Sequence, residues 1–131
     1  MRIFWGVAIG AALGGLSRYY LAAFIQQHVG GVLPIGTLVI NISGSILLGF
    51  IMRYSLEADV FSDAMRIAVT TGFCGGYTTF STFSYDTALL LQDGEYARAG
   101  WYVGGSVVLA LAGVFLGFAA ANALLGMRAP A

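Results

Sequence analysis

Four long apolar runs, separated by three short polar ones, make up nearly the whole chain. A helix needs about 20 mostly apolar residues to cross roughly 30 Å of hydrocarbon, and residues 3–25, 34–54, 64–91 and 99–125 each meet that length. The first run closes at "QQHVGG". The second opens at Pro34, whose missing N–H costs nothing at a helix start. "SLEADVFSD", with Glu57, Asp59 and Asp63, leads into the third run, and "QDGEYAR" into the fourth. The first run exceeds the roughly 7–15 residues of a signal-peptide core, so it reads as a span that is retained. The pattern predicts an all-α membrane protein with four transmembrane helices per subunit and one domain over residues 1–131, without internal repeats.

Composition sharpens this picture. The 131 residues are 59% hydrophobic and 9% charged, with mean hydropathy +0.85, whereas a soluble domain carries about a quarter charged residues. Net charge is zero, the six basic residues are all arginine, and no basic patch suggests nucleic acid. The lone Cys74 cannot form an intrachain disulfide. Four spans put both termini on one side with Arg2, Arg53, Arg128 and Arg66, leaving Arg98 on the other, so the positive-inside rule favours cytoplasmic termini.

Glycines recur every four residues at Gly6, Gly10 and Gly14 and again at Gly113 and Gly117, which places small residues on one helix face and lets backbones approach closely. Polar groups within a span are costly and therefore informative. Thr37, Asn41 and Ser45 fall at i, i+4 and i+8 and form one polar stripe on the second span. Tyr102 and Ser106 share a face of the fourth, in a row that ends at Ala110. Arg18, in the first span, either snorkels to the interface or serves at a pore mouth. Asp86 reads as an interhelical or helix-end contact. His28 is expected in a loop at the interface.

The third span holds the chain's oddest stretch, "GFCGGYTTFSTFS" at residues 72–84. Three glycines weaken a helix there, and hydroxyls compete for backbone groups. The helix is expected to break through this motif. Irregular backbone at membrane depth is tolerated only when buried in protein or lining a wet cavity. Freed carbonyls can bind a hard cation such as Na+. Phe80 and Phe83 stack along one face, with Ser81 and Ser84 beside them. Aromatic rims carry partial positive charge, so ring edges and hydroxyls could line a narrow route for a small, hard anion, holding it weakly enough to release it.

"GGLSRYY", "PIGTLVINISGSILLGF" and "GFCGGYTTFSTFSYD", in this order on four short spans, resemble the CrcB/Fluc family of fluoride channels, over essentially the whole chain. The resemblance implies a small multi-pass channel of the bacterial inner membrane that lets fluoride leave the cytoplasm and so limits its toxicity. It implies an antiparallel, dual-topology dimer in the lipid membrane, with the second subunit inverted and the third helix of each broken at its centre. By the same resemblance Phe80 and Phe83 are the pore phenylalanines and Asn41 donates its amide to fluoride. Tyr102 and Ser106 belong to a polar track that Thr37 joins, and Gly75 and Thr78 offer backbone carbonyls to a structural Na+ at the dimer interface. Arg18 matches the arginine of the first-span motif.

Three rivals are weaker. A proton-coupled transporter of the small multidrug-resistance type needs an intramembrane carboxylate, and only Asp86, near a span's end, is available. A carbonyl-filter cation channel built on "CGGY" would leave the Phe and Asn donors idle. A non-conducting assembly subunit would waste both donor stripes. No Ser/His/Asp set or metal-ligand cluster supports an enzyme.

Overall fold

The structure is a computed structural model and describes residues 1–127, which contain helices and short connections but no strand. Arg128, one of the basic residues grouped with the termini, lies outside the described residues. Among the described residues, three helices are long and apolar enough to cross a membrane: α1 (Arg2–Val29), α2 (Ile35–Ala58) and α6 (Tyr96–Gly126). Between α2 and α6 the chain is helical in pieces. A short α3 (Asp63–Ile67) runs into a π-helical segment (Ala68–Cys74), then α4 (Gly75–Tyr77). Thr78 and Thr79 are non-helical, and α5 (Phe80–Gln92) follows.

Each connection has a local cause. Gly30 and Gly31 adopt φ of 66° and 84°, a region costly for other residues. They release the chain from α1. Gln26 then fastens it: Nε2 donates to the carbonyls of Gly31 (3.3 Å) and Leu33 (3.1 Å), and Oε1 accepts from Gly36 N–H (3.1 Å). Pro34 precedes α2 as its cap rather than opening it, and its carbonyl accepts from Leu38 N–H (3.2 Å). Ser62 caps α3 through Met65 N–H (3.3 Å), and Arg66 pairs with Asp63 one turn away. Gly94, at φ 75°, ends α5 in a Schellman arrangement, with Glu95 N–H on Leu90 O and Gly94 N–H on Leu91 O. His28, expected in a loop, instead sits in the last turn of α1. Its Nδ1–H donates to Phe24 O (2.8 Å), one turn back on the same helix.

Glycine sets how the helices meet. A Cβ on Gly10 would land on the carbonyl of Ala68, and one on Gly14 on that of Phe73, so this row of α1 presses backbone to backbone against the π-helical segment. Gly49 meets Val114 and Gly117 meets Ile46 in the same way, joining α2 to α6. Such contact replaces the hydrophobic drive that lipid cannot provide.

The interruption at Thr78–Thr79 divides the partners of the third element. The part before it packs mainly on α1, whereas α5 packs on α6. The sequence motif suggested that its glycines break the helix, but Gly72, Gly75 and Gly76 are all helical. Gly72 and Gly76 are spent on close approach to Val7, Gly10 and Ala11. The break comes one step later, at Thr78 (ψ 160°) and Thr79 (φ −153°, ψ 116°), where a side chain of α2 captures the backbone.

Candidate functional site

That side chain is Asn41. Its Oδ1 accepts from Thr79 N–H (2.8 Å) and its Nδ2 donates to Thr79 O (3.0 Å). Thr79 N–H is the group that would have extended the α-helical ladder to the Gly75 carbonyl; its diversion ends the helix. Thr79 then starts the next one, since its Oγ1 accepts from Thr82 N–H (3.1 Å) in an N-cap. Arg18 reaches in from α1, donating from Nη1 to the Thr78 carbonyl (3.3 Å). Its guanidinium is turned toward the break rather than out to an interface. Gly44 of α2 leaves the room that the Thr78 methyl occupies.

Beside the break lies a cavity of roughly 350 Å³. Asn41, Phe80, Phe83 and Ser106 line it together with Gly75 and Thr78, and its lining carries no formally charged side chain. Phe80 and Phe83 face each other with ring centroids 5.5 Å apart and planes at 41°, and Phe83 in turn meets Tyr102 at 5.3 Å. Ser106 is 7% exposed, and its Oγ is the buried side-chain polar atom without a hydrogen-bond partner among the described residues. An unpaired buried hydroxyl is costly. Here it stands on the wall of a cavity that a hydrogen-bonding guest could enter.

Tyr102 and Thr37 lie beyond the phenyl pair. Both donate to one oxygen, Asp86 Oδ2, Thr37 Oγ1 at 2.8 Å and Tyr102 Oη at 3.3 Å. Asp86 is thus the interhelical acceptor its place in the sequence suggested. Ser45, third in the stripe of α2, turns back on the Asn41 carbonyl (2.7 Å). Ser81 lies outside the lining of this cavity: it is exposed, with Oγ 3.3 Å from Thr79 Oγ1. A second cavity of similar volume is lined by Arg18, Thr37, Thr79 and Thr82, so Thr79 stands between the two.

The sequence does not single out Thr79. A Thr immediately before a helical run is an N-cap signature, but the run of hydroxyls around it, Thr78 to Ser84, offers several equivalent candidates.

Chemically, the cavity offers a carboxamide N–H, hydroxyls and aromatic rims, and no carboxylate to hold a cation or a proton. These features define a multi-pass α-helical membrane protein with a charge-free, donor-lined cavity at an interrupted helix. The chain belongs to the CrcB-like family: residues 5–118 match the family described as CrcB-like protein, Camphor Resistance (CrcB). It is 46% identical to a protein of Geobacter metallireducens over 118 residues, covering 90% of this chain and 95% of the relative. It is 47% identical to one of Geotalea daltonii over 116 residues, 88% and 94% of the two chains. A protein of Methylocella silvestris is 41% identical over 130 residues, 98% of both. Each of these relatives carries the name fluoride-specific ion channel FluC.

Proposed function

We propose that this chain is a fluoride-selective channel, not an enzyme, which gives passive fluoride efflux across the bacterial inner membrane and reduces fluoride toxicity in the cytoplasm. The relatives' shared name supports this reading. The observation that carries it in the molecule is the cavity lined by Asn41, Phe80, Phe83 and the unpartnered Ser106 hydroxyl, without a charged group. A dehydrated fluoride needs short contacts from donors placed in advance. Neutral donors supply them without binding the ion so tightly that it cannot leave. Chloride, larger and a weaker acceptor, gains less from the same contacts. Tyr102 and Thr37 extend the polar row past the phenyl pair, but each gives its single O–H to Asp86 Oδ2 and would have to turn from it to meet an ion. The multidrug-type alternative is not favoured, because the cavity lacks a carboxylate and Asp86 is engaged by Thr37 and Tyr102.

In this reading the whole chain is one channel unit of four spans. The stretch from Asp63 to Gln92 forms the third, and two copies pair in inverted orientation. Phe80, 79% exposed, is then an inner wall completed by the second copy. Of the two expected ligands to a shared Na+, Gly75 fits the role, whereas the Thr78 carbonyl is already engaged by the Arg18 guanidinium (3.3 Å) and would have to exchange that partner for the ion. The Gly75 carbonyl has lost the helical donor Thr79 to Asn41, Gly75 is exposed, and carbonyl oxygens suit a hard cation. Such an ion would supply positive charge that joins the two interrupted helices.

The test is efflux from liposomes carrying the purified protein. Fast, uncoupled fluoride release with little chloride release is expected. No fluoride release, or equal chloride release, defeats the proposal.

A further inference from the structure

Asn41 faces the cavity with an amide whose two poles are already engaged. Oδ1 holds Thr79 N–H at 2.8 Å and Nδ2 holds Thr79 O at 3.0 Å. A residue's own N–H and C=O point to the same side only in extended backbone, as in a paired β-strand; in a helix they point opposite ways along the axis. Thr79, at φ −153° and ψ 116°, is extended. The side-chain amide therefore pairs with Thr79 as a neighbouring strand would, and this pairing can exist only while the helix is broken at that residue.

Thr79 passes the restraint on. Its Oγ1 accepts from Thr82 N–H (3.1 Å) and donates to Thr82 Oγ1 (2.9 Å), so the residue clamped by Asn41 also fixes the first turn of α5. Phe80 and Phe83 occupy that turn. Thr79 is itself 7% exposed, and its peptide groups are held by the two bonds to Asn41.

We propose that Asn41 and Thr79 form a joint that sets the position of the two phenylalanines: Asn41 acts through the Thr79 peptide, and Thr79 is a positioning residue for the conduction route. This rests on the channel reading above and deepens it. One amide N–H of Asn41 serves the joint, and the other remains for an ion.

Two measurements on the full-length protein in lipid nanodiscs and liposomes test the joint. The first is hydrogen exchange at Thr79 N–H, followed with 15N-threonine labelling in fluoride-free buffer. Asn41→Ala should speed exchange by at least about tenfold, and Asn41→Asp, which keeps an oxygen for Thr79 N–H but sets a second oxygen against Thr79 O, should speed it by less than Asn41→Ala does. Unchanged protection in Asn41→Ala overturns the joint. The second replaces Thr79 by its α-hydroxy acid, so that an ester removes the N–H and every side chain stays, including the free Asn41 N–H. Fluoride flux should fall by about tenfold or more, since the route is displaced while its donors persist. Unchanged flux overturns the positioning role. Should the ester protein fail to assemble, the exchange experiment decides alone. A wild-type protein that passes no fluoride would defeat the channel reading, whereas the exchange result would still decide whether Asn41 clamps Thr79.

Discussion

Ser106→Ala separates a hydroxyl kept for structure from one kept for a passing ion. Ser106 is 7% exposed and its Oγ has no partner among the described residues. A buried polar group left unpaired costs about 1–3 kcal/mol, so removing it should leave stability unchanged or raise it by up to that amount. Flux should move the other way. A hydrogen bond to a charged group contributes about 1.5–3 kcal/mol. If that contact lowers the barrier to passage, each 1.36 kcal/mol lost slows the step tenfold, giving a flux roughly 10- to 150-fold slower. The assay pairs two readings on one preparation: fluoride-electrode efflux from liposomes at matched protein density, and thermal unfolding followed by tryptophan fluorescence. A structural hydroxyl would show the reverse pattern. A variant that melts several degrees lower and conducts as before refutes the assignment of Ser106 to the conduction route.

Phe80→Ile and Phe83→Ile keep apolar bulk but lose the aromatic rim; fluoride efflux should drop by about tenfold or more in each, with the fold of the single chain unaffected in the Phe80 variant because that ring is 79% exposed there. Gly14→Ala drives a methyl into the Phe73 carbonyl, for which overpacking costs of about 1–3 kcal/mol apply. The neighbouring Gly15→Ala meets nothing within 4 Å, so size-exclusion yield and melting should suffer only in the first. Asp86→Asn keeps one oxygen where Thr37 and Tyr102 both donate. It should leave fluoride efflux within about threefold, since only the charge is lost, whereas abolished transport would point to proton coupling through that carboxylate.

Much of this was legible in the apolar runs, whose lengths against the bilayer fix the long helices, and in the four-residue glycine spacing that brings α1 onto the π-helical segment. The Thr37–Asn41 stripe was legible too, because helical periodicity decides which residues share a face. Partners were not. Asn41 finds Thr79, 38 residues away, and that pairing depends on how α2 is rotated against the break. Ser45 shares the stripe of Asn41 yet satisfies itself on the helix backbone, a choice open to any hydroxyl in a helix. The motif's glycines misled for a related reason. Their conformational freedom suggested a break, but their missing side chains are used for approach to α1, and the break follows from capture of one N–H by an amide in another helix.

The interruption also bears on the proposed pairing of two copies. Backbone released at membrane depth must be satisfied by protein or water. Within the subunit the Thr79 peptide groups are held by Asn41, and the Thr78 carbonyl accepts from Arg18. Gly75, whose carbonyl has lost its helical donor, remains exposed in the same segment, as does the Phe80 ring. Lipid can cover a phenyl ring but offers nothing to a carbonyl. An inverted second copy related by a two-fold axis would meet both demands with one surface, since each patch would face its own equivalent. On the dimeric reading, assembly and conduction are therefore one requirement: the contact that covers the freed backbone is also the one that closes the aromatic wall around the ion.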